Sequence, residues 1–261
     1  MALRRRFDAV PFGRVHPSWV ARAIPDEPLA AVWCLAELPR AERLPVLREL
    51  PAVDRPAVLN AQAPAWFAAW WRRHLRGVIT YPWPAAETLD RSAPLTYLDR
   101  LPTDDLLRLL RCFGLRSLAA VVHGLEPQAV VAIAVSLPPV SRDRLAKHSR
   151  SGRHPDPAPW TQAFEALRQE GALPADAPLL LALEDVGAQA PGLGEVSAAA
   201  RIAYRLPARW GERLLARLAR GPGELEHPSP DQWQRDLVTD LGHLARHGVV
   251  TSPLARGGLA A

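Results

Sequence analysis

The stretch "LPTDDLLRLLRCFG", Leu101–Gly114, decides the fold class of this 261-residue chain. Leu106, Leu109, Leu110 and Phe113 recur at the spacing that places them on one helix face, with Asp104, Arg108 and Arg111 on the other. Thr103 stands at an N-cap position, and Asp104 and Asp105 follow where the helix dipole favours anions. Gly114 then reads as a C′ residue that ends the helix.

Working outward, the same grammar repeats. "LRSLAAVVHG" (115–124) and "EPQAVVAIAVSLPP" (126–139) are compact apolar segments closed by Gly or Pro, the second with Pro127 near N1. "VSRDRLAKHSR" (140–150) reads as an exposed basic helix, and "SGRHPDPAPW" (151–160) as a linker. Five further helices follow in "TQAFEALRQEG", "APLLLALEDVGA", "EVSAAARIAYRL", "ARWGERLLARLARG" and "PDQWQRDLVTDLGHLARHG", with Pro207 separating the third from the fourth. Towards the amino terminus, "EPLAAVWCLAEL" and "APAWFAAWWRRHLRG" are helices joined by Pro-punctuated turns, and "VITYPWPAAE" holds a short extended piece. No strand–turn–strand alternation and no solenoid period is present. The expectation is a mainly α fold, an irregular array of short proline-punctuated helices with little or no β. Residues 1–250 form either a single helical domain or two lobes, 1–150 and 159–250, joined at 151–158, with 251–261 a flexible tail.

The composition narrows the setting. The 27 prolines are about twice average usage and are spread along the chain, so they mark hard stops rather than one disordered tract. Cys34 and Cys112 are too few for a disulfide framework or a structural zinc site. Asp8, Pro11, Gly13, Arg14 and His16 interrupt any secretory h-region after the first arginines, and no run is long enough to span a membrane. A cytoplasmic protein without direct membrane insertion is expected. The net charge of +5 invites a nucleic-acid partner, but 31 of the 32 basic residues are arginine, as a GC-rich coding sequence would also produce.

Few residues are arranged for chemistry. Asp236, Asp240, His243 and His247 line one strip of the last predicted helix, so Asp240, His243 and His247 are the candidate metal ligands, with a solvated polar flank as the alternative. There is no Ser-centred elbow, no Cys-His signature and no P-loop. No cofactor and no catalytic residue is assigned.

Two faces are candidates for partner docking. Trp66, Phe67, Trp70, Trp71 and Leu75 cover about half of one helix, opposite Arg72, Arg73 and Arg76. Core packing competes with partner binding for that stripe. Arg209, Arg213, Arg217 and Arg220 form a ladder opposite Trp210, Leu214 and Leu218, either a solvated face or a site for an acidic partner. A third basic cluster runs through Arg142, Arg144, Lys147, His148, Arg150 and Arg153. The aromatics lie opposite the arginines on both helices, which argues against a nucleic-acid surface.

The segment "FDAVPFGRVHPSWV" (7–20) places Phe7, Phe12, His16, Pro17 and Trp19 close to the amino terminus. It resembles the amino terminus of the SctK/YscK family, accessory proteins of the type III secretion sorting platform. "LLRLLRCFGLRSLAAVVHG" is similar to that family's Leu-rich helix, through Phe113, Gly114, Leu115, His123 and Gly124. The order of the last helices is a third, looser likeness, while residues 26–100 depart from the pattern. The resemblance implies a helical, non-enzymatic cytosolic adaptor without a cofactor. Its implied partners are the SctQ-type C-ring-like protein and the cytosolic domain of the SctD-type inner-membrane ring protein. On it, Phe7, Phe12, His16 and Trp19 pin the amino terminus onto the helical body. A scaffold of the flagellar-switch type, a metal-dependent enzyme and a nucleic-acid-binding protein are the alternatives.

Overall fold

The computed structural model describes residues 12–51, 61–79, 101–150, 157–193, 196–220 and 230–250, with the side chains of 187–193, 196, 197, 220 and 230–234 left aside. The described residues form twelve α-helices and one 3-10 turn, Phe12–Arg14, and no strand. The helices are α1 (Pro17–Ala23), α2 (Pro28–Glu37), α3 (Arg40–Glu49), α4 (Ala65–Val78), α5 (Thr103–His123) and α6 (Pro127–Ser136). They continue as α7 (Pro139–Arg150), α8 (Pro157–Gln169), α9 (Ala177–Leu193), α10 (Val196–Arg205), α11 (Ala208–Arg220) and α12 (Pro230–Arg246). The mainly α expectation holds.

Proline explains how nearly all of these helices begin and how several of them end. Every described helix except α10 has a proline at N-cap, N1 or N2, where the missing N–H would have had no intrahelical partner. The stops use the residue before a proline, which is pushed out of the α region. Ile24, Leu38, Leu50 and Leu137 close α1, α2, α3 and α6 with extended backbones, and each precedes a proline. Ile24, Leu38 and Leu137 are also buried, so the same residue that ends the helix anchors the turn. Helices α8 and α12 end instead on Gly171 and Gly248 at φ 83° and 66°. Ala172 and Val249 return hydrogen bonds to the carbonyls of Leu167 and Leu244, the Schellman pattern.

The chain gathers into two compact units. One comprises Met1–Trp83 with Ala200–Arg213, the other Pro84–Ala199 with Leu214–Ala261. The joint expected at 151–158 lies within the span of the second unit; residues 151–156, the tail 251–261, Phe7, Arg153 and most of "VITYPWPAAE" are outside the described residues.

The second unit is organised on α5. Its first half shows the expected face, with Leu106, Leu109, Leu110 and Phe113 buried and Asp104, Arg108 and Arg111 exposed. Its second half is buried almost all round from Cys112 to Val122, which is the signature of a central helix. It packs against α7, α8, α9 and α12. The stop expected at Gly114 does not occur: the helix runs on to His123 and Gly124 is its C-cap residue. Gly114 serves another purpose. A Cβ there would lie 1.6 Å from the Pro178 carbonyl oxygen and 3.2 Å from the Ala182 Cβ, so glycine is what lets α9 sit against α5. The N-cap also falls one residue earlier than expected, at Pro102, with Thr103 as the first helical residue.

In the first unit α1 packs on α3 and α4, and α2 on α3 and α4. Helix α3 occupies a stretch that reads as a turn from sequence, because Pro45 sits inside it. The proline removes one ladder hydrogen bond and the helix continues for four more residues, to Glu49.

Candidate interaction surfaces

The segment His16–Trp19 is held by the turn between α10 and α11, and each of its side chains has a task there. The His16 backbone N–H donates to the Tyr204 carbonyl at 2.8 Å. Its Nδ1 caps α1, accepting from the Ser18 backbone N–H at 3.3 Å with the Ser18 hydroxyl 2.8 Å away. Pro17 opens α1 at N1. The Ser18 hydroxyl accepts from the Ala208 N–H at 2.8 Å and so caps the start of α11. Trp19, buried, donates its indole N–H to the Leu206 carbonyl at 3.1 Å and lies against the Tyr204 ring, centroids 4.8 Å apart. Gly211 closes the site from α11: a Cβ would fall 2.5 Å from the Trp19 ring and 2.2 Å from the Ala203 carbonyl oxygen. Arg205 adds a bond to the Gly13 carbonyl at 2.7 Å, and Phe12 is half-buried.

His16 Nδ1 accepts from the Ser18 backbone N–H and so carries no proton of its own; the imidazole is neutral with its proton on Nε2, and the Ser18 hydroxyl, which accepts from the Ala208 N–H, donates to Nδ1. The His16 pKa is accordingly lowered, chiefly by burial; Glu49 works against that shift and Arg205 reinforces it.

Beside this clamp lies a groove of about 1180 Å³. Charged Arg22, Asp26, Glu49 and Arg209 line it together with apolar Ile24 and Leu29. Arg22 is ion-paired with Glu212, both partners half-exposed. The Arg209 guanidinium lies 4.7 Å from the Trp210 ring centroid, a cation–π arrangement that orders an exposed cation. The groove offers both charge signs around an apolar surface, a chemistry suited to a peptide segment rather than to a small anion.

The tryptophan stripe divides in two. Phe67, Trp71 and Leu75, at i, i+4, i+8, are buried, so Trp71 is a core residue and not a docking residue. Trp66 and Trp70 form the adjoining row and are 65% and 39% exposed. They belong to an aromatic chain. Trp33 of α2 meets Trp66 and Phe67 edge-on at 6.4 and 5.3 Å, and Trp70 stacks on His74 at 5.0 Å. His74 in turn is fixed by the Ala23 carbonyl, 3.0 Å from Nε2. Trp66 and Trp70 are thus exposed, each seated against neighbouring rings.

The arginine ladder is not one uniform face. Arg209 is exposed and Arg213 half-buried, and both belong to the first unit. Arg217 belongs to the second, where it lies 3.8 Å from Glu184. The Arg220 side chain is outside the described residues.

The Asp/His strip of α12 faces arginines. Arg116 holds Asp240 bidentately, Nε at 3.1 Å and Nη2 at 3.0 Å, and its Nη1 is 3.3 Å from Asp236. Burial disfavours the Arg116 charge, but the two carboxylates more than compensate and its pKa is raised. Arg144 donates to His243 Nδ1 at 2.6 Å and also touches the Cys112 sulfur. His243 is lowered by burial first, then by Arg144 and His247, whose ring is 4.4 Å away. Burial and, secondarily, Asp240 push the Cys112 thiol up to about 12. Among the described residues no three His, Cys, Asp or Glu side chains are grouped to hold a metal ion. The strip is a set of interhelical polar contacts in which Arg116, unremarkable in an arginine-rich sequence, is the central member.

Comparison with protein-family models, with curated proteins and with solved structures yields no match. Among the described residues, no helix is long and apolar enough to cross a membrane.

Proposed function

We propose that this chain is a non-enzymatic adaptor of a bacterial type III secretion sorting platform. It bridges the cytosolic domain of the SctD-type ring protein and the SctQ-type C-ring-like protein, at the cytoplasmic face of the inner membrane. The observation that carries the proposal is the His16–Trp19 clamp. The block on which the SctK-family resemblance chiefly rests is committed, residue by residue, to holding the α10–α11 turn. Gly114, in the second block, is likewise spent on a helix contact. Motifs used in this way serve a framework, and a framework leaves surfaces for partners. Trp66 and Trp70 are the docking residues of the first unit, since a seated, exposed tryptophan loses little entropy on binding and buries a large area. Arg209 supplies an ordered cation for an acidic group.

The test is co-purification of the full chain with each purified partner. The reading expects a stable complex with both and at least about tenfold weaker binding to one of them for Trp66→Ala/Trp70→Ala. Absence of binding to either partner, with all proteins folded, contradicts it.

A further inference from the structure

The stretch from Pro127 to Val140 contains no charged residue. It builds α6 and the turn into α7, yet in α6 and its C-cap only Ile133 and Leu137 are buried. Val131, Val135 and Val140 are 61%, 66% and 69% exposed, and Ala129 and Ala132 are exposed with them. An apolar helix is ordinarily buried, and β-branched valines are poor choices for a solvated one. Gln128 and Ser136 are the polar residues exposed beside them, so the face is uncharged and mostly apolar, the kind of surface that is covered in use.

The charges beside it indicate by what. Arg142 of α7 donates to the carbonyls of Ala134 at 2.9 Å, Val135 at 3.4 Å and Leu137 at 3.3 Å. These bonds satisfy the last carbonyls of α6 and hold an exposed cation against the valine face. Lys147 and Arg150 are also exposed on α7, against two exposed acids, Asp143 on α7 and Glu126 at the N-cap of α6. We infer that this face is the docking site for an amphipathic helix of a partner protein, one whose apolar stripe is flanked by carboxylates that meet Arg142. A second copy of the chain would bring more cations than acids to the same face, Arg142, Lys147 and Arg150 against Glu126 and Asp143. A membrane-lying helix carries Trp, Phe or Leu on its apolar side, where α6 has valine and alanine. The inference rests on exposure and charge alone, so it stands apart from the adaptor reading.

The probe is a displayed library of helical peptides of about 18 residues, five turns, with a fixed leucine stripe and flanking positions varied among Glu, Gln and Lys. It is selected against the full chain. Selected peptides are expected to carry Glu at the flanks. Val131→Glu/Val135→Glu should weaken their binding at least about tenfold at an unchanged melting temperature, and Arg142→Gln several-fold. Should the double variant not fold, Val140→Glu gives the same readout from an exposed residue outside α6. No selected binders, a preference for Lys flanks, or undiminished binding by the valine variants overturns the inference. So does a dimer that these variants dissolve, or retention on phosphatidylglycerol vesicles that they abolish.

Discussion

In the unit built on α5 two helices meet backbone to backbone, where the absent side chain of Gly114 admits the Pro178 carbonyl. In the unit containing the amino-terminal helices, hydrogen bonds join segments 187 to 190 residues apart, from Trp19 and Ser18 to Leu206 and Ala208. The first contact tolerates no added volume, because the atom it would meet is main chain. The second is chiefly a set of directional bonds, each worth about 1 kcal/mol, backed by the burial of one indole and closed by a steric contact of its own at Gly211. The lesson is that a steric contact fails abruptly, whereas a hydrogen-bonded clamp is lost in increments. Each unit carries its own reporter. Cys34 of α2 and Cys112 of α5 are buried thiols, each pushed up to about 12 chiefly by burial, and both are inert until their surroundings open.

The sharpest way to break the contrast is Gly114→Val. No rotamer relieves a clash with main chain, so a loss of about 4 kcal/mol is expected, above the usual overpacking range. Urea unfolding measures it, and native thiol labelling of Cys112 should accelerate more than that of Cys34. A loss below about 1 kcal/mol would mean that α5 and α9 can separate freely.

Trp19→Ala comes next, at about 3 kcal/mol from a lost buried indole and its hydrogen bond. Here the labelling order reverses, with Cys34 accelerating more. Equal acceleration of both thiols would erase the distinction between the units. Ser18→Ala should cost about 1 kcal/mol, since it leaves the Ala208 N–H without its cap and removes one bond to His16.

The smallest effect is the pH dependence. The His16 pKa is lowered, so below its ordinary value of 6.5 the unfolded chain binds a proton that the folded chain resists. The contribution is fully present above pH 6.5 and is lost as the pH falls from there through the lowered folded value. His243, shifted the same way in the other unit, adds to the same slope. His16→Asn keeps a capping side chain without the titration, so its unfolding midpoint should depend less on pH between about 7.5 and 5.5 than that of the unaltered chain. An unchanged slope would place the dependence on other groups.

Most helix boundaries were legible because they are written in local chemistry. Leu-Pro and Ile-Pro pairs stop helices by a clash within the dipeptide, and Gly171 and Gly248 stop them by accepting positive φ. Gly114 misleads for the same reason. It follows an amphipathic run as a C′ glycine does, and only the approach of Pro178, distant in sequence, reveals its use. Pro45 hid α3 because an interior proline is an exception that packing must permit. The candidate surfaces were half legible. Periodicity located the Trp66–Trp71 stripe but not which row faces inward, a difference of one residue of rotation. Asp240 and His243 were visible as a strip, while Arg116 and Arg144, which determine what the strip does, lie on other helices.

Amide hydrogen exchange at His16 and Ala208 tests the clamp directly. The two amides donate to Tyr204 and Ser18, on opposite sides of the same contact. Both are expected to exchange slowly and at matching rates in the intact chain, with Ser18→Ala releasing Ala208 and Trp19→Ala releasing both. Fast exchange at His16 and Ala208 while the interior amides of α1 stay protected would contradict the clamp.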